Sequence, residues 1–103
     1  MVRRSALPTL PAKQRLILEL LVAGAPMYGL ELVQASRGRL KRGTVYVTLG
    51  RMEEKGYVES EHETLEPATA GLPRRLYRPT SLGERVLRAW TVLARDLAAG
   101  AHA

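Results

Sequence analysis

The sequence predicts a mainly α-helical domain of the α+β class, with a small β-hairpin inserted before the last helix. Three observations predict this arrangement. Apolar residues recur at helical spacing in three segments that precede Gly56. Residues 57–63 alternate in the manner of a β-strand, and residues 74–79 can form the returning strand. A final amphipathic segment carries one apolar stripe, so we expect the chain to close on a helix.

The first predicted helix begins near Pro11, since proline is common at the first helical position. Gly24-Ala25-Pro26 ends it, and its core side carries apolar residues at helical spacing: Leu16, Ile17, Leu20 and Leu21. Leu18 and Val22 add apolar surface on a second face. This helix has more apolar surface than one contact needs, so we expect the second face to meet a partner chain.

Two more helices and a basic loop follow. A short helix fits Tyr28 to Ala35, with Leu30 and Val33 inward, and Ser36 to Arg42 form the basic loop. The third helix runs from about Thr44 to Lys55 and ends at Gly56, a residue suited to the left-handed C-terminal position. On this helix Val45, Leu49 and Met52 share one face, which we expect in the core.

The hairpin consists of residues 57–63, a loop over Thr64 to Pro73, and residues 74–79. Thr80 and Ser81 then offer N-caps, and Ser81-Leu82-Gly83-Glu84 matches a capping box. The last helix carries a stripe of Leu82, Val86, Trp90, Leu93 and Leu97. The order of elements is that of a winged helix-turn-helix at 1–80 with an additional C-terminal dimerisation helix at 81–103, packed as one unit.

The formal net charge is +6, and it is unevenly distributed. Residues 1–51 carry nine basic and two acidic side chains, residues 52–66 carry one and six, and residues 67–85 carry four and one. Two basic zones around an acidic one are expected of a nucleic-acid binder with two points of contact. A solvated, arginine-rich surface would give the same balance.

Other classes of protein are not expected. The chain has no cysteine, hence no disulfide and no thiol nucleophile. His62 and His102 are isolated, and no nucleophile–base or carboxylate pair stands out, so we expect no metal, no cofactor and no enzyme. No apolar run reaches the length of a membrane span, and Met1-Val2-Arg3-Arg4 does not begin a signal peptide. We therefore expect a cytoplasmic protein without a membrane partner.

Three ordered blocks resemble the PadR family of bacterial transcriptional regulators. They are PMYGLELV at 26–33, RGTVYVTLGRMEEKGYVES at 42–60 and GLPRRLYRPTSLGERVL at 71–87. The single C-terminal helix is similar to the smaller PadR subfamily. The resemblance implies a homodimer on a double-stranded DNA operator, and repression that a small ligand relieves in some members. Many members carry proline or alanine near position 47, so Val47 leaves the site preference open.

The third helix is then the recognition helix, which contacts bases mainly through its N-terminal residues. Its predicted groove-facing set is Thr44, Val47 and Arg51. Tyr46, at the family's tyrosine position, can donate to a phosphate or can be half-buried packing. The face has few residues that read bases bidentately, so DNA shape is expected to supply part of the specificity.

The basic side chains are expected on DNA phosphates. Arg39, Lys41 and Arg42 precede the recognition helix, where the helix dipole disfavours cations unless an external anion is present. A solvated basic loop would explain their charge but not their position. The resemblance places Arg74 and Arg75 of the wing against the flanking backbone. Arg78 is left out of this set because it can pair with the acidic run.

The dimer is expected to bury the stripe of the last helix against the second face of the first helix. The predicted interface is Leu18, Val22, Leu82, Val86, Trp90, Leu93 and Leu97. Such a pair would read a pseudo-palindromic operator. Trp90 is either part of this dimer core or a platform on which a small hydrophobic or aromatic effector stacks.

Two alternatives remain at this stage. One is a winged helix used as a protein-interaction module, with the acidic strand 57–63 as the contact. The other is RNA binding, although single-strand readers display aromatic platforms and this chain has only four Tyr, one Trp and no Phe. A salt-sensitive gel shift with duplex DNA would separate the interaction module from a DNA-binding regulator.

Overall fold

The computed structural model describes residues 8–63 and 74–100. Their elements are α1 (Ala12–Gly24), β1 (Met27–Tyr28), α2 (Gly29–Ala35), α3 (Arg42–Glu54), β2 (Val58–Glu63), β3 (Arg74–Pro79) and α4 (Ser81–Gly100). This is the predicted mainly helical, winged helix-turn-helix arrangement with a C-terminal helix, which is confirmed. The loop predicted over residues 64–73 lies outside the described residues. Within the described ranges, no helix combines the length and the apolar character needed to cross a membrane.

The sheet has three antiparallel strands in the order β1-β3-β2. The hairpin of β2 and β3 was predicted, whereas β1 was not, because two residues are too short to show an alternation. In β1, Met27 lies opposite Tyr77 and Tyr28 lies opposite Leu76. Since α2 begins directly after β1, this pairing fixes the start of α2 against the wing strand β3.

The core lies between α1, α2, α3, the sheet and the first turns of α4. Its fully buried apolar side chains are Ile17, Leu18, Leu21, Leu32, Leu40, Val45, Leu49 and Met52. The predicted inward face of α3 is therefore confirmed. The prediction for α2 was wrong in one position: Leu30 is 44% exposed, and Leu32 is the residue that points inward. A helix of seven residues buries one side only, and that side carries Leu32, with Val33 partly buried against the core as predicted.

The end of α3 and the start of α4 are joined by a compact set of hydrogen bonds. Gly56 has the predicted positive φ, at 80°. Thr80, and not Ser81, is the N-cap of α4: the backbone N–H of Gly83 donates to Thr80 Oγ1 at 3.0 Å, and that hydroxyl donates to the carbonyl of Gly56 at 2.5 Å. The Thr80 N–H also donates to the Tyr57 carbonyl at 3.0 Å, which fixes Thr80 at the start of the helix. The predicted capping box at Ser81 was thus wrong, because the backbone N–H of Gly83 is already bonded to Thr80.

The predicted dimer surface needs two corrections, because α4 packs against α1 within the chain. Leu18 is 0% exposed and Val86 is 4% exposed, so both belong to the chain's own core and have no surface left for a partner. Trp90 is partly buried against the same core, and its indole N–H donates to the carbonyl of Pro8 at 2.8 Å. The sequence shows an apolar stripe, but it does not show which residues of that stripe are buried within the same chain.

Candidate nucleic-acid interface

The outward face of α3 is bare in the part of the chain that the structure describes. Val47 is 56% exposed, and a Cβ built at Gly43 or Gly50 would meet nothing within 4 Å. The opposite face is buried through Val45 and Leu49. The helix is thus anchored along one side only. Its other side is free to contact a large external surface such as the major groove of DNA.

The predicted groove-facing residues Thr44, Val47 and Arg51 are all exposed. With 3.6 residues per turn they lie within a sector of about 60° on the helix surface. Thr44 is also tied locally, since its carbonyl accepts the Thr48 hydroxyl at 3.1 Å. The geometry brings the three side chains to one surface, and their contacts with bases stay a prediction.

The N-terminus of α3 is surrounded by cations that lack an internal counter-charge. Arg39, Lys41 and Arg42 are exposed, and the first turn of α3 contains no acidic residue. The ion pairs in residues 8–63 and 74–100 are Arg15–Glu19 and Arg78–Glu61. Within these ranges, therefore, no carboxylate lies within 4.0 Å of the side-chain nitrogens of the three cations. Their positive charge adds to that of the helix dipole, and such a site attracts phosphate.

The acidic stretch is turned away from this site by the alternation of β2. Glu59, Glu61 and Glu63 occupy the sheet face that carries Arg78, Leu76 and Arg74 across the strand pair. Arg78 Nη2 lies 2.8 Å from Glu61 Oε1, which confirms that Arg78 pairs with the acidic run. Both side chains are substantially exposed, so this ion pair adds little stability. Its effect is to remove Arg78 from the cations that are free for DNA.

The wing arginines are exposed but oriented by contacts that the sequence did not indicate. The guanidinium of Arg74 lies 5.3 Å from the centre of the Tyr28 ring. The Tyr28 hydroxyl donates to Glu63, and this hydrogen bond raises the pKa of the phenol above its usual value. On the other sheet face, Arg75 Nη1 donates to Ser60 Oγ at 3.0 Å. Arg75 is therefore oriented on the sheet face that reaches α3, and Arg74 is oriented on the opposite face, which carries the acidic residues.

The Arg75 contact continues to α3. Ser60 Oγ donates to Glu53 Oε2 at 2.7 Å, so a chain of two hydrogen bonds joins the wing to the recognition helix. Tyr77 lies directly opposite Ser60 in the strand pair and is 4% exposed. Burial, and then the nearby charge of Glu53, raises the pKa of the Tyr77 phenol. These links hold the wing and α3 as one surface.

A cavity of about 640 Å³ opens between α3, the start of α2 and the wing strand β3. Its walls are the side chains and backbone of Tyr28, Gly29, Leu30, Glu31, Tyr46, Arg74, Arg75 and Tyr77. Tyr46 forms one side of it and is 50% exposed, with its ring against the backbone of Gly29. Both interpretations of Tyr46 thus have support: the hydroxyl end of its ring lies against Gly29, and the half-exposed residue lines the same cavity as Arg74 and Arg75.

Comparisons with known proteins identify the family and the fold. The sequence model of the transcriptional regulator PadR-like family matches residues 17–89. A PadR family transcriptional regulator from Eggerthella lenta is 30% identical, with a TM-score of 0.68 over 87% of this chain and 80% of that chain. A PadR family transcription regulator from Clostridium difficile is also 30% identical, with a TM-score of 0.66 over 81% and 86% of the two chains.

A third solved structure, at 27% identity, is the PcaV transcriptional regulator from Streptomyces coelicolor in complex with its natural ligand. The TM-score is 0.68, and the match covers 88% of this chain and 59% of that chain. A comparison with curated protein sequences finds no match.

Proposed function

The chain belongs to the PadR-like family of transcriptional regulators, which bind DNA, and on that premise we propose that it is a homodimeric repressor of a pseudo-palindromic operator. Residues 1–80 form the DNA-binding part in this proposal, and residues 81–103 form the dimerisation helix. The protein acts in the bacterial cytoplasm, where its operator DNA is found. We assign it no enzymatic role.

The observation that carries the proposal is the bare face of α3 beside cations without an internal counter-charge. Val47 is exposed between two glycines that have free space around them, and Arg42 opens the helix. In this proposal the helix enters the major groove, and the basic loop and wing contact phosphates on either side.

Duplex binding tests this proposal. Fluorescence anisotropy with labelled DNA from upstream of its own gene should show tight binding that weakens steeply with salt, and a duplex of shuffled sequence should bind more weakly. Equal affinity for both duplexes would support charge attraction without sequence reading. No binding to either, together with capture of a basic partner by the face of β2, would favour the protein-interaction alternative.

The dimer is proposed from the apolar side chains that the chain leaves uncovered. They are Val22 at 50%, Leu82 at 37%, Val92 at 47% and Leu97 at 66% exposure, with Leu93 partly exposed. Leu97 lies near the end of α4, beyond the part of that helix that packs on the core. Exposed apolar side chains along a terminal helix are typical of an interaction surface.

Leu97→Glu is a clean test of the dimer, because Leu97 contributes little to the chain's own core. The variant should keep its thermal stability as a monomer and should sediment at half the mass of the wild type. Operator affinity should fall, since one recognition helix then binds instead of two. Arg95→Glu is the matched control, because it places a glutamate in the same turn of α4 at an exposed polar position. A wild type that is monomeric at micromolar concentration would contradict the dimer.

Regulation by a small hydrophobic or aromatic effector is a further part of the proposal. The neighbouring PcaV structure contains its natural ligand, which supports ligand control for a similar fold. Trp90 stays a candidate contact through its partly exposed ring, although its N–H is already bonded to Pro8. Quenching of the single tryptophan on titration of the wild type with aromatic compounds would test this, and a Trp90→Ala variant whose operator binding still responds to the same compounds would exclude Trp90 as the contact.

A further inference from the structure

The contact between Gly29 and Tyr46 connects the start of α2 with the recognition helix. A Cβ built at Gly29 would lie 2.5 Å from Tyr46 Cε1, 2.8 Å from Cζ and 2.9 Å from the hydroxyl oxygen. Real carbon contacts are near 3.5–4.0 Å, so the ring occupies the space that any other side chain would need. Gly29 and Tyr46 are 17 positions apart in the chain, and the absence of a side chain at Gly29 determines where the Tyr46 ring lies.

The glycine is not required by its own backbone. In the described ranges the residues with a positive φ are Arg37, Gly38 and Gly56, and Gly29 is not among them. Gly29 is the first residue of α2, a position where alanine is as acceptable to the helix. The need for glycine therefore comes from the Tyr46 ring that lies on it.

The backbone at Gly29 cannot easily yield to a side chain. Tyr28 is paired with Leu76 of β3, and its N–H donates to Glu31 Oε1 at 2.7 Å. Tyr46, by contrast, is half exposed and can swing outward. A methyl group at position 29 would thus displace the ring by about 1 Å and leave the fold intact.

We propose that Gly29 is a positioning residue for DNA binding, because it seats the Tyr46 ring so that the hydroxyl faces a phosphate at the edge of the recognition helix. The inference rests on the proposed function and adds the residue that sets its geometry. Among the described residues the Tyr46 hydroxyl makes no hydrogen bond, so its donor is free for such a phosphate. A hydrogen bond of about 2.7 Å does not survive a displacement of about 1 Å, since bonding weakens steeply beyond about 3.2 Å.

The experiment compares Gly29→Ala, Tyr46→Ala and the double variant. Binding to a labelled random-sequence duplex at low salt should weaken about tenfold in each single variant, the loss expected for a hydrogen bond to a charged group. The double variant should bind no more weakly than Tyr46→Ala, because Gly29→Ala acts only through the ring. Thermal unfolding of Gly29→Ala should match the wild type, which a merely structural role for Gly29 would not allow.

Two further measurements complete the test. Gly24→Ala is the matched control, since a Cβ there meets only Met27 Sδ at 4.0 Å, and it should leave DNA binding unchanged. In the free protein, NMR should show cross-relaxation between the α-protons of Gly29 and the Tyr46 ring, and the ring should lose its contacts with this region in Gly29→Ala.

The outcomes separate the two levels of the proposal. Wild-type affinity in Gly29→Ala, or a full further loss when Gly29→Ala is added to Tyr46→Ala, would overturn the positioning role alone. A wild-type protein that binds no duplex would overturn the proposed function and the positioning role together. Weakened binding with full non-additivity supports both.

Discussion

Replacing Arg42 by alanine should make DNA binding less dependent on salt, because Arg42 lies where the recognition helix begins. Arg42 is the first residue of α3, is exposed, and has no carboxylate within 4.0 Å among the described residues. A dimer loses two phosphate contacts with this substitution. Each contact contributes about −0.9 to the slope of log affinity against log salt, so the slope should become shallower by about 2.

The expected slopes follow from the cations that flank α3. If about six to eight phosphate contacts form per dimer, the wild-type slope is roughly −5 to −7. The affinity advantage of the wild type over Arg42→Ala should then shrink about tenfold between roughly 50 and 200 mM salt. The loss should be similar for all sequences, because phosphate contacts carry no base information.

Fluorescence anisotropy across a salt series measures this slope directly. Arg78→Ala is the matched control, because Arg78 is already paired with Glu61 at 2.8 Å and should leave the slope as it is. An unchanged slope in Arg42→Ala, or an equal change in Arg78→Ala, would refute the assignment of the basic loop to phosphates.

Three further predictions concern the framework that holds the interface. Thr80→Ala removes the cap of α4 and should cost about 1 kcal/mol, which lowers the melting temperature by about 4–8 °C in a calorimetric scan; Thr91→Ala is the control. Gly83→Ala places a methyl group against the Tyr57 carbonyl oxygen and 3.1 Å from Leu18 Cδ2, so it should cost roughly 3 kcal/mol in urea unfolding, whereas Gly100→Ala should cost almost nothing. The raised pKa of Tyr77 favours the neutral phenol in the folded state, so its contribution is intact below about pH 10 and is lost as the pH rises further; Tyr77→Phe should make alkaline unfolding less steep. Equal melting of Thr80→Ala and wild type, tolerance of Gly83→Ala, or an unchanged alkaline profile in Tyr77→Phe would contradict these assignments.

Much of the fold could be predicted because its pattern is periodic. The buried face of α3 follows from Val45, Leu49 and Met52 at helical spacing, and the pairing of Arg78 follows from the alternation of the hairpin. Strand β1 could not be predicted, since its two residues are a strand only through their partners on β3.

The remaining differences depend on packing between distant elements. Leu18 and Val86 look like surplus apolar surface in sequence, and they are core only because α4 folds back on α1. The seat of Tyr46 on Gly29 depends on how α2 and α3 cross, which no local pattern encodes. Spacing within the longer helix α3 was therefore reliable, whereas the inward residue of the short helix α2 and the choice between a core and an interface residue were not.

Selection of the wild-type protein on a library of random-sequence duplexes tests the central claim most directly. A homodimer that places the two α3 helices in successive major grooves should enrich one pseudo-palindrome, with half-site centres about one helical turn, near 34 Å, apart. Enrichment of no sequence, or of a single half-site without a symmetric partner, would contradict a dimeric, sequence-reading regulator.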